Sequence, residues 1–474
     1  MIKPLSILAF LAMSCTVTAA ELPIARVFSA PALDGPALRG VKISPDGALV
    51  TYLRPESGDQ TTFDLWARPV KGGKERLLVE GSKVEPKDTV LSEAEKSRRE
   101  RQRTAGAHGV TDYLWDDVGA RILIPAGGNL YLANAGNGTV MKLGETAGDA
   151  TDAKISAKGG YVTYVRDQNL HALNVKTGQD VAISTEGRDA ISFGTAEFVA
   201  QEEMDRYTGY WTSPDEKRVA FTRVDEAPVD VVPLFEIGAE GATVLNKRYP
   251  RAGRPNAVVE LYVASLSGGP RVKVDLGADT DIYLARVDWA KDGNTLYVQR
   301  ESRDQTRLEL LAVDPATGMA RVLITEHQMP WINLNSDLTP LKTGGFIWGS
   351  ERSGFHHLYL YAADGTLVHA ITHGDWPVAQ SSGSGLHPSA VAGVDEAKGL
   401  IYFIASKDGP LERHLYVTSY RNPGEPKKIT SGKGWWNVDL AKDNKSFVGG
   451  YTDPTTPVQT ALYAIDGKRL SWIE

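Results

Sequence analysis

The sequence predicts an all-β chain folded as an eight-bladed β-propeller, and three observations carry that reading. A short phrase, typically a polar residue, a leucine and an aromatic, recurs at Asp64-Leu65-Trp66, Asn129-Leu130-Tyr131, Asn169-Leu170-His171, Glu260-Leu261-Tyr262, Glu309-Leu310-Leu311, His357-Leu358-Tyr359, His414-Leu415-Tyr416 and Ala461-Leu462-Tyr463. Each copy follows a turn and an alternating strand, as where Ser44-Pro45-Asp46-Gly47 leads into residues 48–54, or Lys291-Asp292-Gly293-Asn294 into residues 295–300. Eight units of roughly 40–50 residues consume most of the 474-residue chain. One unit cannot bury both its faces, so the units must stack around an axis, and the propeller takes residues 21–474 with no second domain.

Ahead of it, residues 1–20 read as a cleavable signal peptide. Lys3 supplies a positive start, residues 5–13 an apolar stretch too short to span a bilayer, and Thr18-Ala19-Ala20 the small residues of a cleavage site. The mature chain is expected to begin at Glu21 and to be periplasmic or secreted, with no transmembrane segment after signal removal. The one cysteine, Cys15, lies in this leader, so the exported chain is expected to hold neither thiol nor disulfide. Acylation at Cys15 is the less favoured alternative, because Ala12 and Met13 suit that signal poorly.

The blades open in order on turn signals: Ser44-Pro45-Asp46-Gly47, Trp115-Asp116-Asp117-Val118-Gly119, Ser156-Ala157-Lys158-Gly159, Ser213-Pro214-Asp215-Glu216, Lys291-Asp292-Gly293, Lys342-Thr343-Gly344-Gly345, Glu396-Ala397-Lys398-Gly399 and Lys442-Asp443-Asn444. Proline second and glycine fourth suit type I turns between antiparallel strands. Three segments exceed a plain blade, and insertions are where function concentrates. Residues 80–109 contain a run of strong helix formers with leading acids, trailing bases and a capping box from Ser92 to Glu95, which predicts a solvent-exposed helix near residues 91–103. Residues 193–210 lie between blades three and four, with a short helix near 202–207. Residues 229–254 read as a polar excursion inside blade four.

The net charge of −7 argues against a nucleic-acid partner, which favours a basic face. No G-x-S-x-G nucleophile elbow occurs, and the glycine-serine cluster at residues 381–385 lacks its spacing, so no catalytic residue is predicted. Metal spacing is absent as well: the adjacent His356 and His357 face opposite sides of a strand and cannot share one ion. No cofactor is expected.

The segment Gln201-Glu202-Glu203-Met204-Asp205-Arg206 is different, because it places two adjacent carboxylates in a short connection. Such groups repel and raise each other's pKa unless a cation lies between them, which makes them a natural cradle for an ammonium. Taken alone, an acidic pair is most often a solvated surface feature, and composition and spacing do not decide for the cradle.

The run Glu197-Phe198-Val199-Ala200-Gln201-Glu202-Glu203-Met204-Asp205-Arg206, followed by Thr208-Gly209-Tyr210-Trp211-Thr212-Ser213-Pro214-Asp215, resembles the double-glutamate segment of dipeptidyl peptidase IV-like enzymes in the prolyl oligopeptidase family. Three more stretches agree in order: Ser350-Glu351-Arg352-Ser353-Gly354-Phe355-His356-His357-Leu358-Tyr359, Ile371-Thr372-His373-Gly374-Asp375-Trp376 and Pro410-Leu411-Glu412-Arg413-His414-Leu415-Tyr416. Departures are Phe198, where many members have tryptophan, and Pro377, where an acidic residue is common. The resemblance implies that Glu202 and Glu203 hold the free N-terminal ammonium of a peptide and so measure two residues to the scissile bond, giving Xaa-Pro dipeptide release. It also implies that an arginine of the first insertion, Arg101 or Arg103, holds a substrate carbonyl.

In that family an α/β-hydrolase domain carrying serine, aspartate and histidine follows the propeller, and none is read before Glu474. The expectation is a substrate-gating propeller, truncated or split from its catalytic half and inactive alone. Its partners would be peptide N-termini and a separately encoded α/β-hydrolase domain. The alternative is a non-catalytic periplasmic propeller that binds peptides or proteins, with the glutamates idle.

Overall fold

Period-two alternation of apolar residues turns each repeat into a small antiparallel sheet with two faces to bury. The computed structural model describes residues 22–29, 33, 38–144, 149–379 and 389–474. The expected leader at residues 1–20, its boundary at Glu21 and the cluster at 381–385 lie outside the described residues. Residues 1–37 and 38–474 form separate units. The first carries a one-turn helix, α1 (Ile24–Val27).

The second unit is the eight-bladed propeller, with one sheet per repeat in chain order. The first strands of the blades include Arg39–Ile43, Thr151–Ile155, Ile282–Trp289, Val391–Asp395 and Trp435–Leu440. First strands of neighbouring blades touch one another, which places them around the axis. All eight leucines of the repeated phrase are buried, at 0–2% exposure, so each blade drives one apolar knob into the packing between sheets. Burying a leucine contributes about 1.5–3 kcal/mol, which explains why this position is the repeat's most constant feature.

The turn signals work through side chains. Ser44 Oγ donates to Asp46 Oδ1 at 2.5 Å and accepts from Leu49 N at 2.9 Å, and Gly47 closes the turn at φ +69°. Blade four repeats the device with Ser213 and Asp215 at 2.6 Å but places Glu216, not glycine, at φ +63°. That left-handed residue has a use, because its carboxylate accepts from Ser156 Oγ and Lys158 N of blade three's turn, both at 2.6 Å.

Blade one is built from the first strands and blade eight wholly from the last, with no strand shared between them. The ring closes instead through side chains: Ile43 N donates to Asp439 Oδ2 at 3.0 Å, Arg68 to Trp472 O at 2.5 Å, and Leu38 N to Glu474 Oε2 at 3.3 Å. Behind these bonds Ile43, Val50 and Tyr52 pack on Ala441, Val448 and Leu462.

The insertions differ from expectation in instructive ways. A helical turn, α2 (Gly81–Val84), precedes the predicted helix α3 (Glu93–Arg101), which is capped by Ser92 Oγ accepting from Glu95 N at 3.3 Å. The helix was expected to be solvent-exposed, yet Arg99 is 1% exposed and Glu95 5%. Its buried face is charged instead of apolar, which hides the burial from a hydropathy reading. The second insertion does not lie between blades. Ile191–Phe193 and Tyr210–Thr212 both pair with Arg218–Asp225, so residues 194–209 interrupt the first strand of blade four. Its helix, α4, spans Phe198–Glu203 and not residues 202–207, because Asp205 turns left-handed at φ +51° and ends the run. The third insertion is a two-stranded arm, Val231–Gly238 against Gly241–Arg248, that exposes Val231, Phe235 and Ile237 and is not the polar excursion expected. No helix among the described residues is long and apolar enough to cross a membrane.

Candidate functional site

An excursion from an axis-facing strand must stand over the axis, and this is how blade four presents Glu202 and Glu203. Arg206, 0% exposed, fastens the excursion: it donates to Glu197 Oε2 at 2.6 Å, Thr208 O at 2.9 Å and Leu284 O of blade five at 3.0 Å. Phe198 packs edge-on to Tyr249 with ring centroids 5.1 Å apart, so a smaller aromatic than tryptophan still finds a partner. The helix thus ends with both glutamate side chains exposed.

The other excursion brings an arginine to them. Arg99 donates to both oxygens of Glu85, at 2.7 and 2.5 Å, to Glu95 at 2.7 Å and to Ala107 O at 3.1 Å, which folds residues 85–107 back on themselves. Two turns of α3 beyond its cap, Arg101 Nε donates to Glu202 Oε1 at 2.7 Å. Arg103, the other predicted candidate, follows the helix at φ +56°, exposed and without an ion pair among the described residues. The structure therefore joins Arg101 and Glu202, sets Glu203 beside them, and leaves Arg103 apart.

Glu203 has no counter-ion among the described residues and lines a cleft of about 560 Å³ with Val199, Tyr283, Arg286, Glu301 and Arg303. A second cavity of about 580 Å³, lined by Lys154, Tyr210 and Asp288, shares Arg286 and Ser336 with the first, so the two adjoin. Burial dominates the titration here. It pushes Glu301 up to about 7 and Asp288 up to about 6, and together with the neighbouring Arg206 charge it brings Arg286 down to about 10.

Glu301 and Arg286 are not among the site residues expected from the sequence. The available signal was a strand, Leu296–Ser302, in which Gln299 and Glu301 occupy positions of the face that Tyr297 devotes to the core. The two histidines go their separate ways as expected: His356 Nε2 meets Asp337 Oδ2 at 2.6 Å, while His357 bridges Thr372 Oγ1 and Gly374 O, both at 2.9 Å. Asp408, Glu412 and His414 converge in a way the spacing did not reveal, with ligand atoms within 4.8 Å. Lys428 Nζ already stands 2.5 Å from Asp408 and supplies the balancing cation.

Chemically, the α3–α4 junction can hold a cation between Glu203 and the free oxygen of Glu202. Arg101 commits Nε to Glu202 and keeps its terminal nitrogens for an acceptor such as a carbonyl oxygen.

Known proteins share this architecture. The chain is 25% identical over 463 residues to human dipeptidyl peptidase 8, covering 79% of this chain and 51% of that protein. It is 26% identical over 351 residues to the probable dipeptidyl peptidase 4 of Emericella nidulans, covering 69% and 44%. It therefore spans about half the length of these relatives. The crystal structure of Porphyromonas gingivalis dipeptidyl peptidase 4 superposes with a TM-score of 0.74 at 22% identity, covering 92% of this chain and 59% of that one, and has the same fold. The family model of the dipeptidyl peptidase IV (DPP IV) N-terminal region matches residues 120–458, and the chain belongs to that family.

Proposed function

We propose that this propeller is the substrate-gating and N-terminus-recognition part of a dipeptidyl peptidase IV-like serine peptidase that releases Xaa-Pro dipeptides. The observation that carries the reading is the convergence of Arg101 and Glu202, 101 positions apart in the sequence but bonded at 2.7 Å, with Glu203 open beside them. An ammonium placed against Glu203 and Glu202 gains charge-assisted hydrogen bonds, each about twice as strong as a neutral one. Arg101, held by Glu202, then faces the first carbonyl of the same peptide. This arrangement measures distance from a free amine, which is what dipeptide release requires. An export signal at residues 1–20 would place the activity in the periplasm or outside the cell.

The test is calorimetry with a free-amine Xaa-Pro tripeptide and its N-acetyl derivative. Acetylation is expected to weaken binding at least tenfold, and the double variant Glu202→Gln, Glu203→Gln to bind both peptides equally weakly. Equal affinity of the wild-type chain for the two peptides would overturn the reading.

A further inference from the structure

We infer that the recess formed by Glu301 and Arg286 receives the side chain of a peptide's N-terminal residue and selects one with a cationic end, arginine or lysine. The inference rests on the reading of Glu202 and Glu203 as an ammonium cradle, and names the substrate class of that site.

Along Leu296–Ser302 alternate residues share a face, so Tyr297, Gln299 and Glu301 point the same way. Tyr297 packs with Leu310 and Phe346 in the apolar contact between blades five and six. The next two positions on that face are polar and buried, Gln299 at 1% and Glu301 at 3% exposure. Buried polar groups are costly unless partnered. Among the described residues neither Oε1 nor Nε2 of Gln299 has a hydrogen-bond partner, and the carboxyl of Glu301, 3% exposed, makes no hydrogen bond or ion pair. Arg286, opposite Gln299 on the adjoining strand, directs Nε to Ser336 Oγ at 3.1 Å and a terminal nitrogen to Ala285 O at 2.8 Å. Glu301 is thus an unmet carboxyl at the wall of a cleft, with the unpartnered Gln299 next on the same face of its strand, and not half of a structural ion pair.

Its location decides what enters. Glu203 and Glu301 line the same cleft, so a residue whose ammonium rests on Glu203 directs its side chain along the wall that holds Glu301. Its charge decides the chemistry. Glu203, Asp205 and Glu301 face the cleft with Arg286 and Arg303, and Arg303 is already met by Asp281 at 2.9 Å and Arg254 O at 3.0 Å. Unmet charge is negative. Burial holds Glu301 near 7 against the pull of Arg286, with Asp304 adding repulsion, and an arriving guanidinium or ammonium offsets that penalty. An apolar side chain leaves Glu301 unpartnered, and an acidic one adds repulsion.

The experiment compares Arg-Pro-Ala with norleucine-Pro-Ala on the wild-type chain at pH 8 by calorimetry, where the ratio of affinities cancels the titration of the shared amine. Arginine is expected to bind at least tenfold tighter. Glu301→Gln should bring the two peptides within twofold, and in the wild type the advantage should shrink at pH 6 as Glu301 takes up a proton, a readout that needs no variant. Equal wild-type affinities at pH 8, or an advantage that survives in Glu301→Gln, overturn the inference and leave the cradle standing. If neither peptide binds, both readings fall; if Glu202→Gln, Glu203→Gln weakens both peptides while their ratio persists, both are supported.

Discussion

Two groups of buried carboxylates in this molecule have opposite surroundings. Glu85 and Glu95, in the α3 excursion, are gripped by Arg99 at 2.5–2.7 Å, and Arg98 adds a second hold on Glu95. Glu301, at the cleft, is as deeply buried and has no hydrogen bond or ion pair among the described residues, only the more distant pull of Arg286. Burial raises the pKa of Glu95 too, but the hydrogen bonds and charges of Arg98 and Arg99 win and hold its carboxyl below the usual range. At Glu301 burial wins. The difference teaches how to separate scaffolding from recognition in a polar interior: a carboxylate whose bonds are complete fixes a shape, and one whose bonds are missing awaits something.

Removing Arg99 should break the first member of the pair most severely. Arg99→Met strands Glu85 without its arginine and leaves Glu95 to Arg98 alone, and breaking a buried pair in this way costs about 3–5 kcal/mol. Because every partner of Arg99 lies between residues 85 and 107, hydrogen exchange should accelerate in α3 while the blades keep their protection. Uniform exchange across the chain would show that the excursion is not an independent unit.

At Glu301 the sign reverses. Its folded-state pKa of about 7 exceeds the ordinary 4.5, so the folded protein holds a proton that the unfolded chain releases, and wild-type stability falls as pH rises through that window. Glu301→Gln should therefore match the wild type at pH 4 and exceed it at pH 8 by about 3 kcal/mol in urea denaturation. A stability difference that stays constant with pH would contradict an unpaired carboxyl. Glu95 supplies the mirror image: its lowered pKa contributes stability above the ordinary carboxyl range, lost as pH falls through the folded value, so α3 should lose exchange protection in acid before the blades do.

The smallest structural effect belongs to Arg101. Its pair with Glu202 is 29% and 38% exposed, so Arg101→Gln should change stability by less than about 1 kcal/mol. Peptide affinity should nevertheless drop about tenfold, as expected for losing one charge-assisted contact. Unchanged affinity would assign Arg101 to scaffolding with Arg99.

Much of this was legible in the sequence, and the illegible parts share a cause. The repeated leucines announced the blades because apolar burial follows a period that a sequence displays. The capping box from Ser92 to Glu95 marked the start of α3 because capping is local. Burial of Arg99 and Arg206 was not visible, since nothing in a charged residue's neighbours along the chain reports carboxylates or carbonyls that folding delivers from elsewhere. The same holds for the split first strand of blade four: Ile191–Phe193 and Tyr210–Thr212 look like separate elements until both pair with Arg218–Asp225. Arg101 and Arg103 could not be told apart, because only the left-handed turn at Arg103 directs it away from Glu202.

The seam between blades one and eight has a topological consequence. With no strand shared across it, the eight sheets are a necklace whose clasp is made of a few hydrogen bonds and six buried apolar side chains with partly buried ones packed against them. Leu38 and Glu474 touch there, so a linker joining them and a cut at any exposed loop tip would move the clasp without rebuilding a single ladder. Tension applied to residues 38 and 474 would likewise part the ring at this joint, as a split washer opens, while every blade still held its own strands.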